Sequence, residues 1–237
     1  MCSHTESGRR WRVFRRATGT PGTSPAERVL IAGLSLSGDP GVHGDYLRTL
    51  DEGGEDPFLA ELIEDSIPRG GAVVDGGSYL GYHTLVAARR AGPRGKVLSF
   101  EPNPVTYRAL RRNVRENGYE DRVVALPLGV AAWSGRRTFY VGADAGKSGL
   151  FVPARWRETT RTRTLSLDNS VAGRSIDVIK LDVHGGEVDA LRGMRRTLEL
   201  SPRVGCSSSA IHPRSRTRAP RPGRCSTSCS TWASKCR

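Results

Sequence analysis

The chain has 237 residues, of which 37% are hydrophobic and 26% are charged, a composition that fits one soluble domain with or without extensions. Its longest apolar run, residues 29–34, contains Gly33 and is far too short to cross a membrane. Residues 3–204 contain no cysteine, so we expect no disulfide framework in this part of the chain. These features exclude a transmembrane protein and predict a cytoplasmic location.

The formal net charge of +13 is concentrated at the two ends of the chain. Residues 1–16 contain five Arg and one Glu, whereas residues 205–237 contain six Arg, one Lys and no acid. We interpret residues 1–44 as a basic leader or linker and residues 205–237 as a basic tail around a domain at 45–204. Because a nucleic-acid-binding domain carries its basic residues on the folded core, this distribution argues against nucleic acid as a partner. A basic nucleic-acid-binding protein is kept as the alternative from another functional class.

Strands and helices alternate through the central part of the chain. The patterns predict helices at 57–63, about 82–91, 104–117 and 187–200, and strands at 72–75, 96–101, 123–126, 138–141, 161–165 and 176–182. Such alternation is typical of an α/β fold with a doubly wound, mostly parallel sheet.

Glycines and carboxylates follow the ends of these strands. Asp75 precedes a glycine-rich segment at 76–81, and Glu101 lies at the tip of the next strand. Open parallel sheets bind ligands at the carboxyl ends of their strands, and a carboxylate there can accept hydrogen bonds from both hydroxyls of a ribose. The pattern fits either a nicotinamide dinucleotide or S-adenosylmethionine.

The glycine-rich segment favours S-adenosylmethionine. It lacks the G-x-G-x-x-G pattern of dinucleotide sites, and the negative charge of Asp75 would oppose a pyrophosphate but favour a sulfonium and an ammonium group. A nicotinamide-dependent oxidoreductase remains the alternative among enzymes.

Three motifs, in order, resemble the FkbM family of S-adenosylmethionine-dependent methyltransferases: VVDGGSYLGYHT at 73–84, FEPNP at 100–104 and IKLDVHGGE at 179–187. The resemblance covers about residues 56–204. It implies a class I methyltransferase fold, which is Rossmann-like, and O-methylation of a hydroxyl on a small molecule such as a natural product or a sugar. By position it also implies cofactor contacts, with the methionine end near Asp75, Gly77, Ser78 and Gly81, the ribose on Glu101 and the adenosine near Asn103.

The chain departs from the family's usual pattern at two positions. Tyr79 stands where the family usually has Asn, and His184 stands where it usually has Glu.

Two residues after the last predicted strand are candidates for catalysis. His184 could act as a general base on an acceptor hydroxyl, because imidazole titrates near neutral pH. Asp182 could orient the acceptor, the histidine or a metal ion. The alternatives are a surface histidine and a loop-capping carboxylate. No cluster of carboxylates indicates a metal site.

The last 33 residues differ from the rest of the domain. They contain eight Ser, four Cys and a single branched aliphatic residue, Ile211. We interpret residues 205–237 as disordered or as translated out of frame, so that the fold would lack its last strands. An inactive, truncated methyltransferase is therefore a further alternative.

Overall fold

The computed structural model describes residues 27–53, 57–143, 145–171 and 173–208. The strands are β1 (Glu27–Ile31), β2 (Leu34–Gly38), β3 (Ala72–Gly76), β4 (Lys96–Phe100), β5 (Val123–Leu126), β6 (Leu128–Val130), β7 (Gly135–Gly142), β8 (Trp156–Leu165), β9 (Val178–Leu181) and β10 (Gly205–Ser208). The helices are α1 (Pro40–Asp51), α2 (Pro57–Ser66), α3 (Tyr82–Ala91), α4 (Pro104–Glu116), α5 (Leu167–Ser170), α6 (Glu187–Arg192) and α7 (Arg195–Glu199), with a 3₁₀ turn at Ala145–Lys147. None of the helices in these ranges is long and apolar enough to cross a membrane.

A five-stranded parallel sheet in the order β10-β9-β3-β4-β5 forms the centre of the fold. Its inner strands are apolar because helices cover both faces; Val73, Val74 and Ile179 are all buried. The strand order reverses between β3 and β9, which creates a crevice at their carboxyl ends. The predicted α/β, doubly wound, mostly parallel fold is confirmed.

Two smaller sheets flank the central one. Strands β1 and β2 form an antiparallel hairpin, whereas β8 pairs in parallel with β6 and antiparallel with β7. The strands of the second of these sheets lie between β5 and β9 in the chain.

The prediction of a leader or linker at 1–44 is wrong for residues 27–44, and residues 1–26 lie outside the described ranges. Val29, Leu36 and Leu47 are buried in the same cluster as the core of the central sheet. The hairpin turns through Ala32 and Gly33, which both have positive φ (52° and 80°). Two-residue turns of this kind usually carry Asn-Gly, so Ala-Gly gave no clear signal in the sequence.

Asn113 of α4 and Asn117, which caps the carboxyl end of this helix, bind the outer edge of β2. The Asn113 amide accepts from the Ser37 N–H (2.9 Å) and donates to the Ser37 carbonyl (3.1 Å), and Asn117 makes the same pair of bonds with Ser35 (2.9 and 2.7 Å). Asn113 also donates to the carbonyl of Leu80 at 2.8 Å. The hairpin is thereby tied to α4 and to the loop after β3.

The carboxyl-terminal boundary lies beyond the predicted residue 204. Residues 205–208 form β10, which pairs in parallel with β9, so β9 is an inner strand and not the exposed edge that truncation at 204 would leave. Within the described ranges no further strand joins this sheet after β10. The remainder of the predicted tail, 209–237, lies outside those ranges.

The helix predicted over 187–200 is divided at Gly193. A Cβ at this position would lie 2.1 Å from the carbonyl oxygen of Ala131, so only glycine allows the two backbones to approach this closely.

Replacing Asn113 by Ala should lower the free energy of unfolding by about 3 kcal/mol, because buried polar groups of Ser37 and Leu80 would lose their partners. Asn169→Ala is the matched control, since Asn169 is exposed and its amide donates to the exposed Ser134. We expect the control to change stability by less than about 0.5 kcal/mol. Urea denaturation measures the free energy of unfolding of both variants. Equal decreases in the two variants would contradict a stabilising role for the hydrogen bonds of Asn113.

Candidate active site

A cavity of about 620 Å³ opens at the carboxyl ends of β3, β4 and β9. Five of the residues predicted from the sequence line it: Gly77, Ser78, Glu101, Asp182 and His184. The topology therefore brings together residues that are more than 100 positions apart in the chain.

The loop after β3 is held against the neighbouring strand ends. The N–H groups of Gly77 and Ser78 both donate to the carbonyl of Phe100 at 3.0 Å. Gly77 has a φ of 75°, and a Cβ there would lie 2.0 Å from the carbonyl oxygen of Asp182. Glycine is thus required at 77 for the loops after β3 and β9 to touch, which by itself accounts for its presence.

Glu101 is a buried carboxylate on the cavity wall. Its Oε2 accepts the Tyr79 N–H at 2.9 Å, and its Oε1 accepts the Asn103 N–H at 2.8 Å. Burial raises the pKa of Glu101 to about 7, although these two N–H donors and the nearby Lys180 ammonium oppose the shift. Each carboxylate oxygen retains acceptor capacity for a ligand hydroxyl.

Asp75 lies behind the loop and does not line the cavity. Its Oδ2 accepts from the hydroxyl of Thr84 at 2.6 Å, and its Oδ1 lies 3.2 Å from Nζ of Lys180. The same Nζ donates to the carbonyl of Gly77 at 2.9 Å. In this structure the Asp75 carboxylate supports the loop through its neighbours, and its direct contact with the cofactor stays a prediction.

Gly81 and Asn103 also lie away from the cavity lining, at the starts of two helices. Gly81 precedes α3 with a φ of 92°, and Asn103 caps α4 by accepting the N–H of Val105 at 2.9 Å. Asn103 contributes to the site indirectly, through its N–H bond to Glu101.

Asp182 and His184 lie together on the cavity wall, each about one third exposed. Nδ1 of His184 is 3.7 Å from Oδ1 of Asp182, which is longer than a hydrogen bond but close enough for a carboxylate to stabilise an imidazolium. The two side chains therefore lie together where both can contact a ligand in the cavity.

The two departures from the family pattern share an unusual backbone conformation. Tyr79 (φ 52°) and His184 (φ 47°) are both left-handed, a region that Asn adopts more readily than most residues. The ring of Tyr79 makes edge contacts with His43 and Tyr46, with centroids 5.5 and 4.8 Å apart. These contacts join the loop after β3 to α1.

Helix α1 supplies part of the cavity wall that sequence reasoning missed. Asp45, Tyr46 and Thr49 line the cavity from this helix, and Lys147 and Ser148 line it from the segment between β7 and β8. The sequence signal that could have indicated the start of α1 is Asp39-Pro40. The Asp39 side chain caps the helix by accepting the N–H of Gly41 at 2.8 Å, and proline is favoured in the first turn of a helix.

Comparison of the sequence with known proteins identifies a methyltransferase family. The sequence model of the FkbM methyltransferase domain matches residues 75–212, more than half of the chain. The hexuronic acid methyltransferase AglP of Haloferax volcanii is 28% identical over 64% of this chain and 61% of that protein. The methyltransferase sdnD of Sordaria araneosa is 26% identical over 54% of this chain and 62% of that protein.

A solved structure of a methyltransferase from Geobacter sulfurreducens aligns with a TM-score of 0.39 and 18% identity, covering 65% of this chain and 58% of that chain. The chain spans a little over three fifths of the length of the two relatives named above.

The stability contributed by Glu101 should fall as the pH rises. The folded state holds its proton up to a pKa of about 7, whereas the unfolded state releases it near 4.5, so this contribution declines by about 3 kcal/mol between these values. The Glu101→Gln variant has no titrating carboxyl group at this position, so it lacks this pH-dependent contribution. Urea denaturation at pH 5 and pH 8 should show wild type losing about this much stability relative to the variant. If the difference in stability between wild type and Glu101→Gln is the same at both pH values, the raised pKa of Glu101 is contradicted.

Proposed function

Since the chain belongs to the FkbM methyltransferase family, we propose that it is an S-adenosylmethionine-dependent methyltransferase that acts on a hydroxyl group of a small molecule. The observation that carries the proposal is the buried Glu101 carboxylate, which faces a cavity formed by the glycine-rich loop and the ends of the parallel strands.

The residues present fit the cofactor. Glu101 would accept hydrogen bonds from the ribose hydroxyls, because its two oxygens are fixed by the N–H groups of Tyr79 and Asn103 and still have acceptor capacity. Gly77 and Ser78 would lie along the methionine end, since both line the cavity beside β3. When bound, the cofactor supplies a methyl group activated by a sulfonium.

The chain's own contribution is to position the acceptor and to remove its proton. We assign the general base to His184, with Asp182 stabilising the imidazolium that forms. Helix α1 and the segment that contains Lys147 and Ser148 enclose the opposite side of the cavity, where they limit the access of water to the reacting groups.

The other functions considered have less support. A dinucleotide would place a pyrophosphate near the loop that lacks the G-x-G-x-x-G pattern, and the family match is to methyltransferases. The relative from Haloferax volcanii is a hexuronic acid methyltransferase, so a sugar hydroxyl is the first acceptor class to test. A cytoplasmic location is part of the proposal and is supported by the cysteine-free sequence from 3 to 204.

Binding of the cofactor should raise the thermal unfolding temperature of the purified chain. At 100 times the dissociation constant the expected stabilisation is about 2.7 kcal/mol. Glu101→Ala should abolish the increase because the ribose hydroxyls lose their acceptor, whereas Glu120→Ala, at an exposed site on the loop after α4, should retain it. If Glu101→Ala responds like wild type, the cofactor site is misassigned.

Replacing His184 by Asn should slow methyl transfer by about 10²- to 10⁴-fold, because Asn tolerates the left-handed backbone but cannot act as the base. The dissociation constant of the cofactor should change by less than about twofold, since Glu101 is unaffected. Single-turnover transfer from radiolabelled cofactor to a panel of uronic acids measures the rate, and calorimetry measures binding. An unchanged rate on an accepted substrate would remove His184 from the mechanism.

A further inference from the structure

A second concavity, of about 390 Å³, lies on the sheet formed by β6, β8 and β7. We call it the arginine groove. It shares no residue with the active-site cavity. Its lining consists of Leu128, Ser134, Gly135, Arg136, Arg163, Thr164 and Leu165.

Two positive charges face each other in this groove. Arg136 of β7 is directly opposite Arg163 of β8 in the antiparallel register, and both are exposed. Neither contacts a carboxylate of the described residues. Arg137, the next residue along β7, is by contrast paired with Asp189 at 2.5 Å. Like charges directly opposite each other destabilise a sheet, and an anion bound beside both arginines would reduce this repulsion.

The groove offers a further hydrogen-bond donor. Oγ of Ser134 accepts the amide of Asn169 at 3.2 Å, so the hydroxyl proton of Ser134 is left to donate. Two guanidinium groups and one hydroxyl together match the three acceptor oxygens and the double negative charge of a phosphate monoester.

The surrounding charge favours the same ligand. Residues 135–165 contain seven Arg and Lys but only two acids. An anionic ligand would balance this excess of positive charge.

We propose that the arginine groove binds the phosphate group of a small molecule. The apolar part of the lining, Leu128 and Leu165, gives room beside the two guanidinium groups for the carbon skeleton of a phosphate ester. This site is separate from the methyl-transfer cavity and does not depend on the function proposed for that cavity.

Thermal unfolding in inorganic phosphate, compared with NaCl at equal ionic strength, tests the proposal. Phosphate should raise the unfolding temperature of wild type by a few degrees and that of Arg163→Gln by no more than NaCl does. In the absence of phosphate, Arg163→Gln should unfold at a higher temperature than wild type, because the repulsion with Arg136 is gone. The control is Arg161→Gln, which lies on the same strand opposite Thr138 and should keep the phosphate response.

A second arm with glucose 6-phosphate distinguishes the sources of the phosphate group. A larger shift than with inorganic phosphate identifies a phosphate ester as the ligand, and an equal shift identifies free phosphate. The proposal is overturned if phosphate and NaCl act alike on wild type, or if Arg163→Gln and Arg161→Gln respond equally.

Discussion

The arrangement of the active site depends on the buried ammonium of Lys180. Asp75 and Glu101 end neighbouring strands and are both almost inaccessible to solvent, so two carboxylates share a small region of low polarity. Lys180 approaches Asp75 and also donates to the carbonyl of Gly77. A single cation thereby compensates the buried acids and fixes the loop between them. Without it, the buried negative charge would be uncompensated, which is among the most destabilising changes in a protein interior.

The parts of the fold that sequence reasoning recovered are those with a local signal. The apolar runs of β3, β4 and β9 required burial on both faces, and their order with the helices required a parallel sheet. Glu101 could be placed because the tip of a strand has a defined position in such a sheet.

The remaining features depend on contacts between distant segments. The sequence does not show that the hydroxyl of Thr84 donates to Oδ2 of Asp75 or that the ammonium of Lys180 lies 3.2 Å from Oδ1. The break at Gly193 depends on the backbone of Ala131, more than 60 positions earlier. Helix α1 was missed because Gly-rich segments favour loops locally, whereas the burial of Leu47 in the core stabilises this helix.

The hydrogen bonds that Asn113 and Asn117 make with β2 have a further consequence for the outer edge of the hairpin. Four residues of helix rise about 6 Å and two residues of strand about 6.6 Å, so Asn113 and Asn117 can match Ser37 and Ser35 in step. A free strand edge invites another chain to add to it, which is a common route to aggregation. Here the side-chain amides occupy the backbone groups that such a chain would use, and the helix acts as a substitute for a neighbouring strand. The interval of four residues between the two asparagines is therefore a geometric requirement, and an insertion or deletion within it would reopen the edge.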